Sequence, residues 1–206
     1  MADFYLASHS ARRRELLRQV GARFETLLLR MAVHRGPDVN EDLRPGELAN
    51  DYVTRVARDK AIQGATTVVS RGMLARPVLA ADTSVVVDGT VLGKPRVPGE
   101  AARFLQLLSG RTHEVRTAIA LAVPGGRSHT LWVDESVTLV TMRSIESEEI
   151  ARYCASGEPF DKAGGYAIQG RAAIFVARIE GSYSGVVGLP LAETAALLAR
   201  AGVRLL

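Results

Sequence analysis

The sequence contains little cysteine and no long apolar run, and both absences limit the classes of protein to which it can belong. One cysteine, Cys154, occurs among the 206 residues, which excludes a disulfide framework or a cysteine metal cluster within the chain and favours a reducing compartment. No apolar run approaches the roughly 20 residues of a membrane-spanning helix. The segment MADFYLASHSARRRELL becomes polar too early for a signal peptide. We therefore predict a cytoplasmic protein without a membrane partner.

Lysine and aromatic residues are also scarce. The 26 basic residues include three lysines, Lys60, Lys94 and Lys162, and each lies in a segment that stands out for other reasons. The net charge of +4 favours an anionic partner. Aromatic residues make up 5% of the chain and do not interleave with the basic residues, so a single-strand-binding surface with stacking platforms is not indicated. A small phosphate-bearing substrate fits better than a stable nucleic-acid partner.

Short apolar runs alternate with segments of helical periodicity, which predicts a mixed α/β fold. The chain shows no linker or internal repeat, and we predict a single domain over residues 1–206. An Asp-Gly pair at 88–89 predicts a two-residue hairpin, and a helix is expected from Glu47 to near Gly64. The other predicted strands span 4–8, 24–29, 78–81, 113–123, 131–142 and 172–179. The other predicted helices span 11–20, 144–155 and 191–201, and one more follows Pro98 and Gly99 and runs to Leu108.

The first candidate site lies in the segment LASHSARRRELL, where a predicted strand leads directly into a helix. Ser8 and Ser10 separate the two elements, and Arg12 and Arg13 lie in the first turn of the helix. Free backbone N–H groups at a helix N-terminus favour anions, and arginine adds bidentate phosphate donors. Because basic residues there oppose the helix dipole, the pattern indicates an anionic ligand. A solvated helix face is the alternative.

The second candidate site is an acid within the apolar segment VLAADTSVVVDGTVLGKP. Asp82 follows the predicted strand 78–81, and such a carboxylate must be paired, metal-bound or placed at a strand end facing a cleft. Ligands of open α/β sheets gather at the carboxyl ends of strands, where an acid can hold Mg²⁺ or deprotonate water. Lys94 can return to the same edge after the hairpin. A capping or turn aspartate is the alternative for Asp82.

The third candidate site is the glycine-rich segment FDKAGGYAIQG. Its glycines predict unusual backbone angles or a close approach to a ligand. Lys162 supplies charge, and Gln169 offers both a donor and an acceptor, as base recognition requires. Elsewhere, Glu41 is a loop acid that could complete a metal site, and Lys60 lies beside or opposite the apolar stripe of its helix. For these last two residues an ordinary surface position is the alternative.

Taken together, these segments resemble the Maf family of nucleoside triphosphate pyrophosphatases. The likeness covers essentially the whole chain and depends on five ordered blocks: LASHSARRRELL, YVTRVARDKA, AADTSVVVDGTVLGKP, LSGRTHEVRTAIAL, and the run from EPFDKAGGYAIQGRAAIFVARIEGSY to VVGLPLAET. The resemblance implies an α/β fold in which an elongated mixed β-sheet with flanking helices carries a deep cleft between two lobes. It also implies that the protein often forms a homodimer.

The resemblance further implies roles for individual residues. The proton acceptor of the family matches Asp82. Substrate choice is associated with positions that match Arg12, Thr83 and Gln169, a combination that resembles the branch acting on dTTP and UTP rather than on 7-methyl-GTP. Other polar cleft positions of the family match Ser8, Arg13, Glu41, Lys60, Lys94 and Lys162.

We therefore hypothesise an enzyme that hydrolyses nucleoside triphosphates, dTTP and UTP above all, to the monophosphate and pyrophosphate. Mg²⁺, with Mn²⁺ as the alternative, would be held by Asp82, Glu41 and the triphosphate. Asp82 would activate water for in-line attack at the α-phosphorus, while Arg12, Arg13 and the lysines neutralise phosphate charge. The alternatives are the 7-methyl-GTP branch, a basic nucleic-acid-binding regulator, and a sugar or nucleotidyl transferase.

Overall fold

A computed structural model describes residues 2–30, 37–125 and 128–205. In these ranges the chain is an α/β protein with a mixed sheet of seven strands and flanking helices, as predicted. The strands are β1 (Phe4–Leu6), β2 (Phe24–Thr26), β3 (Val78–Val87), β4 (Thr90–Leu92), β5 (Thr112–Val123), β6 (Thr130–Met142) and β7 (Val176–Glu180). The helices are α1 (Ala11–Gln19), α2 (Ala49–Ser70), α3 (Pro98–Leu108), α4 (Ser147–Ala155), α5 (Tyr183–Val187) and α6 (Leu191–Arg200), with 3₁₀ turns at Glu158–Asp161, Ala163–Gly165 and Arg171–Phe175.

The strand order is β2-β1-β3-β5-β6-β7, and β4 pairs with β3. Strand β1 is parallel to both β2 and β3, whereas β3–β4 and β6–β7 are antiparallel. Val87 pairs with Thr90 across the predicted hairpin. Its two turn residues both have positive φ angles, 49° at Asp88 and 73° at Gly89, as a two-residue turn that follows the strand twist requires. The hairpin prediction is confirmed.

The described chain folds as two compact units, each with its own core. The first contains the described residues up to Asp82, together with Thr117–Glu135 and the residues from Gly188 onward; the second contains Thr83–Arg116 and Ser136–Val187. Helix α2 packs its small apolar face, including Ala57 and Ala61, into the core of the first unit. Helix α3 contributes to the core of the second unit. The single domain over residues 1–206 and the cleft between two lobes stay predictions.

Helix α2 is longer than the sequence predicts. The expected end near Gly64 is wrong, because the helix continues to Ser70. A Cβ atom at Gly64 would lie 2.6 Å from Val78 Cγ1 and 3.4 Å from Ala7 Cβ. Glycine is thus required here for the close approach of the helix to the sheet and not as a helix stop. No helix in the described part of the chain is long and apolar enough to cross a membrane.

Strand β3 also departs from its predicted bounds. It does not end before Asp82, because its second half continues to Val87 and pairs with β4. Its first half pairs with β1, and the last of those pairs joins Leu6 to Leu79. Asp82 therefore lies within a strand, but beyond the carboxyl end of the parallel neighbour β1.

The predicted strand over 172–179 is correct only in its second half. Residues Arg171–Phe175 form a 3₁₀ turn, in which Ala173 N donates to Gly170 O at 3.1 Å, and strand β7 begins at Val176. The helix expected from residue 144 begins at Ser147. It starts there because the Glu146 side chain caps its N-terminus, in a capping box with Glu149.

Candidate active site

Asp82 is the buried acid of a polar cluster in the first unit. It is 8% exposed, and its Oδ1 accepts a hydrogen bond of 2.9 Å from Lys60 Nζ. Lys60 projects from α2 beside the fully buried Ala57 and Ala61, and its own side chain is 12% exposed. Its methylene stem therefore follows the core while the ammonium group reaches the sheet. A carboxylate as buried as that of Asp82 needs a charged partner, and Lys60 supplies it.

Glu41 brings a second carboxylate to the same ammonium group. Its Oε2 lies 2.9 Å from Lys60 Nζ, and its side chain is 47% exposed. Lys60 thus bridges one buried and one solvent-facing acid. Each carboxylate has two oxygens, so the bond to Lys60 engages one oxygen of each acid. The loop acid Glu41 and the strand acid Asp82 therefore contact the same ammonium group, and the metal site predicted for them stays a prediction.

The residues of this cluster suit a hard divalent cation. Carboxylate oxygens are preferred ligands of Mg²⁺, which is usually bound through one or two carboxylates, with substrate phosphates and water completing its shell. Within the described ranges, no group of three or more acidic, histidine or cysteine side chains is gathered for a metal. The protein's contribution at this place would therefore be the pair Glu41 and Asp82, on the two sides of the Lys60 ammonium group.

Arg13 fastens α1 to the backbone next to Asp82. Its Nη1 donates to Ala81 O at 2.7 Å, and its Nε donates to Gly188 O at 2.7 Å. Burial lowers the pKa of the guanidinium group, and the nearby charges of Asp82 and Glu41 act in the opposite direction. Arg13 therefore adds positive charge beside both acids and holds the strand segment that carries Asp82. The sequence predicted a phosphate ligand here and did not indicate this contact with the backbone.

The connection between β1 and α1 is a hydroxyl-capped turn. Ser10 Oγ accepts from Arg13 N at 3.3 Å and caps the helix, as predicted. Ser8 is buried, and its Oγ accepts from Ser10 N at 3.1 Å and from Arg13 Nη1 at 3.4 Å. Arg12 is half-buried in the first turn of α1. The serines and arginines of the first candidate site thus lie in one compact turn.

Two residues of α2 that the sequence analysis did not single out hold the loop of Glu41. Tyr52 and Arg55 both donate hydrogen bonds to its backbone carbonyls. Desolvation raises the pKa of Tyr52 well above its usual value, and the charges of Asp82 and Glu41 raise it further. Their position one helical turn apart, in the YVTRVARDKA block that also carries Lys60, is the sequence signal that could have identified them.

The second unit contains the other two lysines. Lys162 Nζ donates to Glu158 O at 2.6 Å and also contacts the Asp161 carboxylate. Lys94 is exposed just after β4. The backbone connects the two segments, because Gly164 N donates to Gly93 O at 3.0 Å. The structure therefore brings the hairpin that carries Lys94 against the glycine-rich segment.

The glycine-rich segment has the unusual backbone that its composition predicts. Gly164 and Gly165 have φ angles of 67° and 72°. Gly170 instead allows a close approach, because a Cβ atom there would lie 2.1 Å from Glu158 Oε1. Gln169 is exposed on the turn just before Gly170. Its side chain is therefore accessible to solvent, while Thr83, the other predicted selecting residue, directly follows Asp82 in β3.

The comparison with known families gives a match over nearly the whole chain. Residues 3–201 match the family described as Maf-like protein, and the chain belongs to that family. The resemblance found in the sequence is thereby confirmed.

Named relatives are similar over nearly their whole length. A dTTP/UTP pyrophosphatase of Bordetella parapertussis is 53% identical over 199 residues, which cover 97% of this chain and 92% of that protein. A dTTP/UTP pyrophosphatase of Nitrosomonas europaea is 51% identical over 97% of this chain and 94% of its own length. The protein of the same name from Chromobacterium violaceum is 50% identical over 98% and 96%.

Proposed function

We propose that this chain hydrolyses nucleoside triphosphates, with dTTP and UTP as its substrates, to the nucleoside monophosphate and pyrophosphate. The names of relatives at about 50% identity support this activity. The observation that carries it is the buried Asp82 carboxylate, hydrogen-bonded by Lys60 and accompanied by Glu41. This arrangement supplies a proton acceptor and cationic charge at one place, which phosphoanhydride hydrolysis requires.

Asp82 is the general base in the proposed reaction. Its carboxylate takes a proton from water as the water oxygen forms a bond to the α-phosphorus, and the bond from the α-phosphorus to the bridging oxygen of the β-phosphate breaks. The bridging oxygen leaves on pyrophosphate, and the water oxygen remains on the monophosphate. Lys60 holds Asp82 in one orientation through the 2.9 Å bond to Oδ1. Arg13 fixes the backbone at Ala81, so the base is held by both its side chain and its main chain.

A divalent cation, Mg²⁺ or Mn²⁺, is part of the proposal. When bound, it would supply charge stabilisation at the phosphate oxygens. Glu41 and Asp82 would hold it, since both are oxygen ligands and both already face one cationic group. Asp82 is held in place by burial, whereas Glu41 is half exposed and depends on its loop.

The remaining residues bind the two ends of the substrate. Positive charge at the triphosphate and the leaving pyrophosphate comes from Arg12, Arg13 and the three lysines, and Ser8 adds a hydroxyl group. Gln169 and Thr83 recognise the base: an amide offers a donor and an acceptor, and a pyrimidine edge presents both complements. The choice of dTTP and UTP over 7-methyl-GTP rests on the combination of Arg12, Thr83 and Gln169, which resembles the dTTP/UTP branch, and on the names of the relatives.

The compartment and the assembly complete the proposal. Cys154 is a buried free thiol in the described structure, which suits the reducing cytoplasm. A homodimer is proposed from the family resemblance. Light scattering during size-exclusion chromatography measures the mass directly, and a monomer at micromolar concentration would contradict the dimer without affecting the reaction.

A nucleotide panel tests the activity. We expect pyrophosphate release from dTTP and UTP with Mg²⁺, with the monophosphate as the other product and no second substrate required. A clear preference for 7-methyl-GTP would move the chain to the other branch and keep the reaction. Gel-shift binding of nucleic acid with a steep salt dependence, together with no turnover of any nucleotide, would instead favour a nucleic-acid-binding regulator.

A further inference from the structure

The loop that carries Glu41 is fastened to α2 at three consecutive carbonyl groups. Arg55 Nη1 donates to Asn40 O at 3.1 Å, and Arg55 Nη2 donates to Asp42 O at 3.0 Å. Between them, Tyr52 Oη donates to Glu41 O at 3.0 Å. The two side chains therefore hold the backbone on both sides of Glu41 and at Glu41 itself.

The Arg55 guanidinium group is itself fixed at the far end of the loop. Its Nε and Nη2 donate to the two carboxylate oxygens of Glu47, at 2.5 Å and 2.8 Å, and the two side chains are 13% and 10% exposed. The hydrogen bonds from Arg55 lower the pKa of Glu47 to about 2, so Glu47 stays ionised at neutral pH. Arg55 also lies over the ring of Tyr52, 5.7 Å from its centroid. The Arg55 guanidinium group is thus hydrogen-bonded to both ends of the loop between residues 40 and 47.

This arrangement matters because the Glu41 side chain has little packing of its own. It is 47% exposed and meets Lys60 through one oxygen. Holding an exposed glutamate in one rotamer costs conformational entropy, and a mobile backbone would increase that cost. The contacts with Tyr52 and Arg55 remove the backbone part of this freedom.

We propose that Arg55, together with Tyr52, is a positioning residue that sets Glu41 against Lys60 and Asp82. The inference rests on the proposed function, because it assigns Glu41 a part in that reaction. Arg55 acts through the loop backbone and touches neither Lys60 nor Asp82. Lysine cannot replace it, since one ammonium group cannot donate in a plane to a carboxylate and two carbonyls at once.

The test compares two arginines of the same helix. Arg55→Lys keeps the charge beside Glu47 but removes the planar set of N–H donors of the guanidinium group. Arg58→Lys makes the same change at an exposed position of α2. We expect Arg55→Lys to lower kcat/KM for dTTP about 10- to 100-fold. This is the range observed for residues that orient a metal ligand without contacting the metal themselves. Arg58→Lys should stay within about twofold of wild type. Tyr52→Phe, which removes one hydroxyl group, should cost about 3- to 10-fold.

A double-mutant cycle with Glu41→Gln separates positioning from general stability. If Arg55 acts through Glu41, Arg55→Lys should cost little more than about twofold in the Glu41→Gln background. A role confined to stability would cost the same factor in both backgrounds. Equal factors would overturn the proposal.

Amide hydrogen exchange of the protein without nucleotide or cation gives a readout independent of turnover. Peptides covering residues 38–47 should exchange faster in Arg55→Lys and Tyr52→Phe than in wild type and Arg58→Lys. Unchanged exchange in both loop variants would also overturn the proposal. If Arg55→Lys does not fold, Tyr52→Phe decides in both assays. If wild type turns over no nucleotide, the proposed function fails, and the exchange experiment still tests whether Arg55 and Tyr52 hold the loop.

Discussion

Lys60 donates a 2.9 Å hydrogen bond to the buried Asp82 from a helix on which the nearby Ala57 and Ala61 are fully buried. A lysine on the core side of α2 is costly unless its charge is compensated, and two carboxylates compensate it here. This lysine, one of only three in the chain, lies where its ammonium group can balance the negative charge of two carboxylates. The relationship makes Asp82 the first residue to test.

Asp82→Asn should leave folding intact and lower turnover by about 10²- to 10⁴-fold, because asparagine keeps the shape of the side chain but cannot accept the proton. Lys60 retains Glu41 as a charged partner in this variant, so the ammonium group is not left unpaired. Pyrophosphate release from dTTP and thermal unfolding measure the two properties.

Asp88→Asn is the matched control for that change. Asp88 lies in the exposed hairpin turn and pairs with Arg111, and an exposed pair contributes little to stability. We expect turnover close to wild type. Turnover by Asp82→Asn equal to that of Asp88→Asn would remove Asp82 from the proposed mechanism.

Removal of divalent cations should abolish turnover, and Mg²⁺ should restore it. Because Glu41 would supply one of two protein ligands, Glu41→Gln should raise the Mg²⁺ concentration for half-maximal turnover about tenfold or more. Asp42→Asn removes a neighbouring exposed acid and should leave that concentration unchanged. Full turnover in excess chelator, checked by metal analysis of the protein, would contradict the cation proposal.

The sequence singles out Asp82, Lys60 and Glu41, which the structure brings into one cluster, but it does not indicate the contacts that hold them there. Asp82 was recognisable because an acid within an apolar strand needs a partner, and Lys60 because lysine is rare in this chain. Their meeting could not be derived from periodicity, since it depends on how closely α2 approaches the sheet at Gly64. The sequence predicts a helix stop at Gly64, because a glycine that ends a helix and a glycine that allows close packing have the same local preference.

Long-range contacts explain what else the sequence did not predict. Arg13 donates to Gly188 O across 175 positions of the chain, and no local pattern marks such a contact. The short helix α5 has five residues, too few for a periodic signal. The 3₁₀ turn at Arg171–Phe175 contains apolar residues suited to a strand, and its contacts with the preceding turn override that preference.

Gly164→Ala should destabilise the protein by about 2–4 kcal/mol through two costs that add. Its φ angle of 67° disfavours any side chain, and a Cβ atom would lie 2.8–2.9 Å from the branched Val85 side chain, which overpacks the core. Gly93→Ala is the control, because no atom lies within 4 Å of a Cβ there and its φ angle is not positive; it should change stability by less than about 1 kcal/mol. Urea unfolding measures both, and equal effects would contradict the prediction.

His113 should make the protein less stable as the pH falls from about 6.5 to about 4. Its side chain is 2% exposed and its Nε2 lies 2.7 Å from Tyr166 Oη, while Nδ1 has no hydrogen-bond partner among the described residues. Burial lowers its pKa from 6.5 to about 4, so the folded protein holds the neutral ring. As the pH falls, His113 binds a proton in the unfolded chain before it does so in the folded protein. Its contribution to the free energy of unfolding, up to about 3 kcal/mol, is therefore complete above pH 6.5 and is lost towards pH 4.

His113→Gln isolates that contribution, since glutamine can still bond to Tyr166 but does not titrate. The free energy of unfolding, measured by urea titration at several pH values between 7 and 4, should fall less steeply in this variant than in wild type. His9→Gln removes an exposed histidine that contacts Leu29 O and should keep the wild-type slope. The same slope in His113→Gln as in wild type would mean that folding does not shift the pKa of His113, and that its burial does not control the acid sensitivity of the second unit.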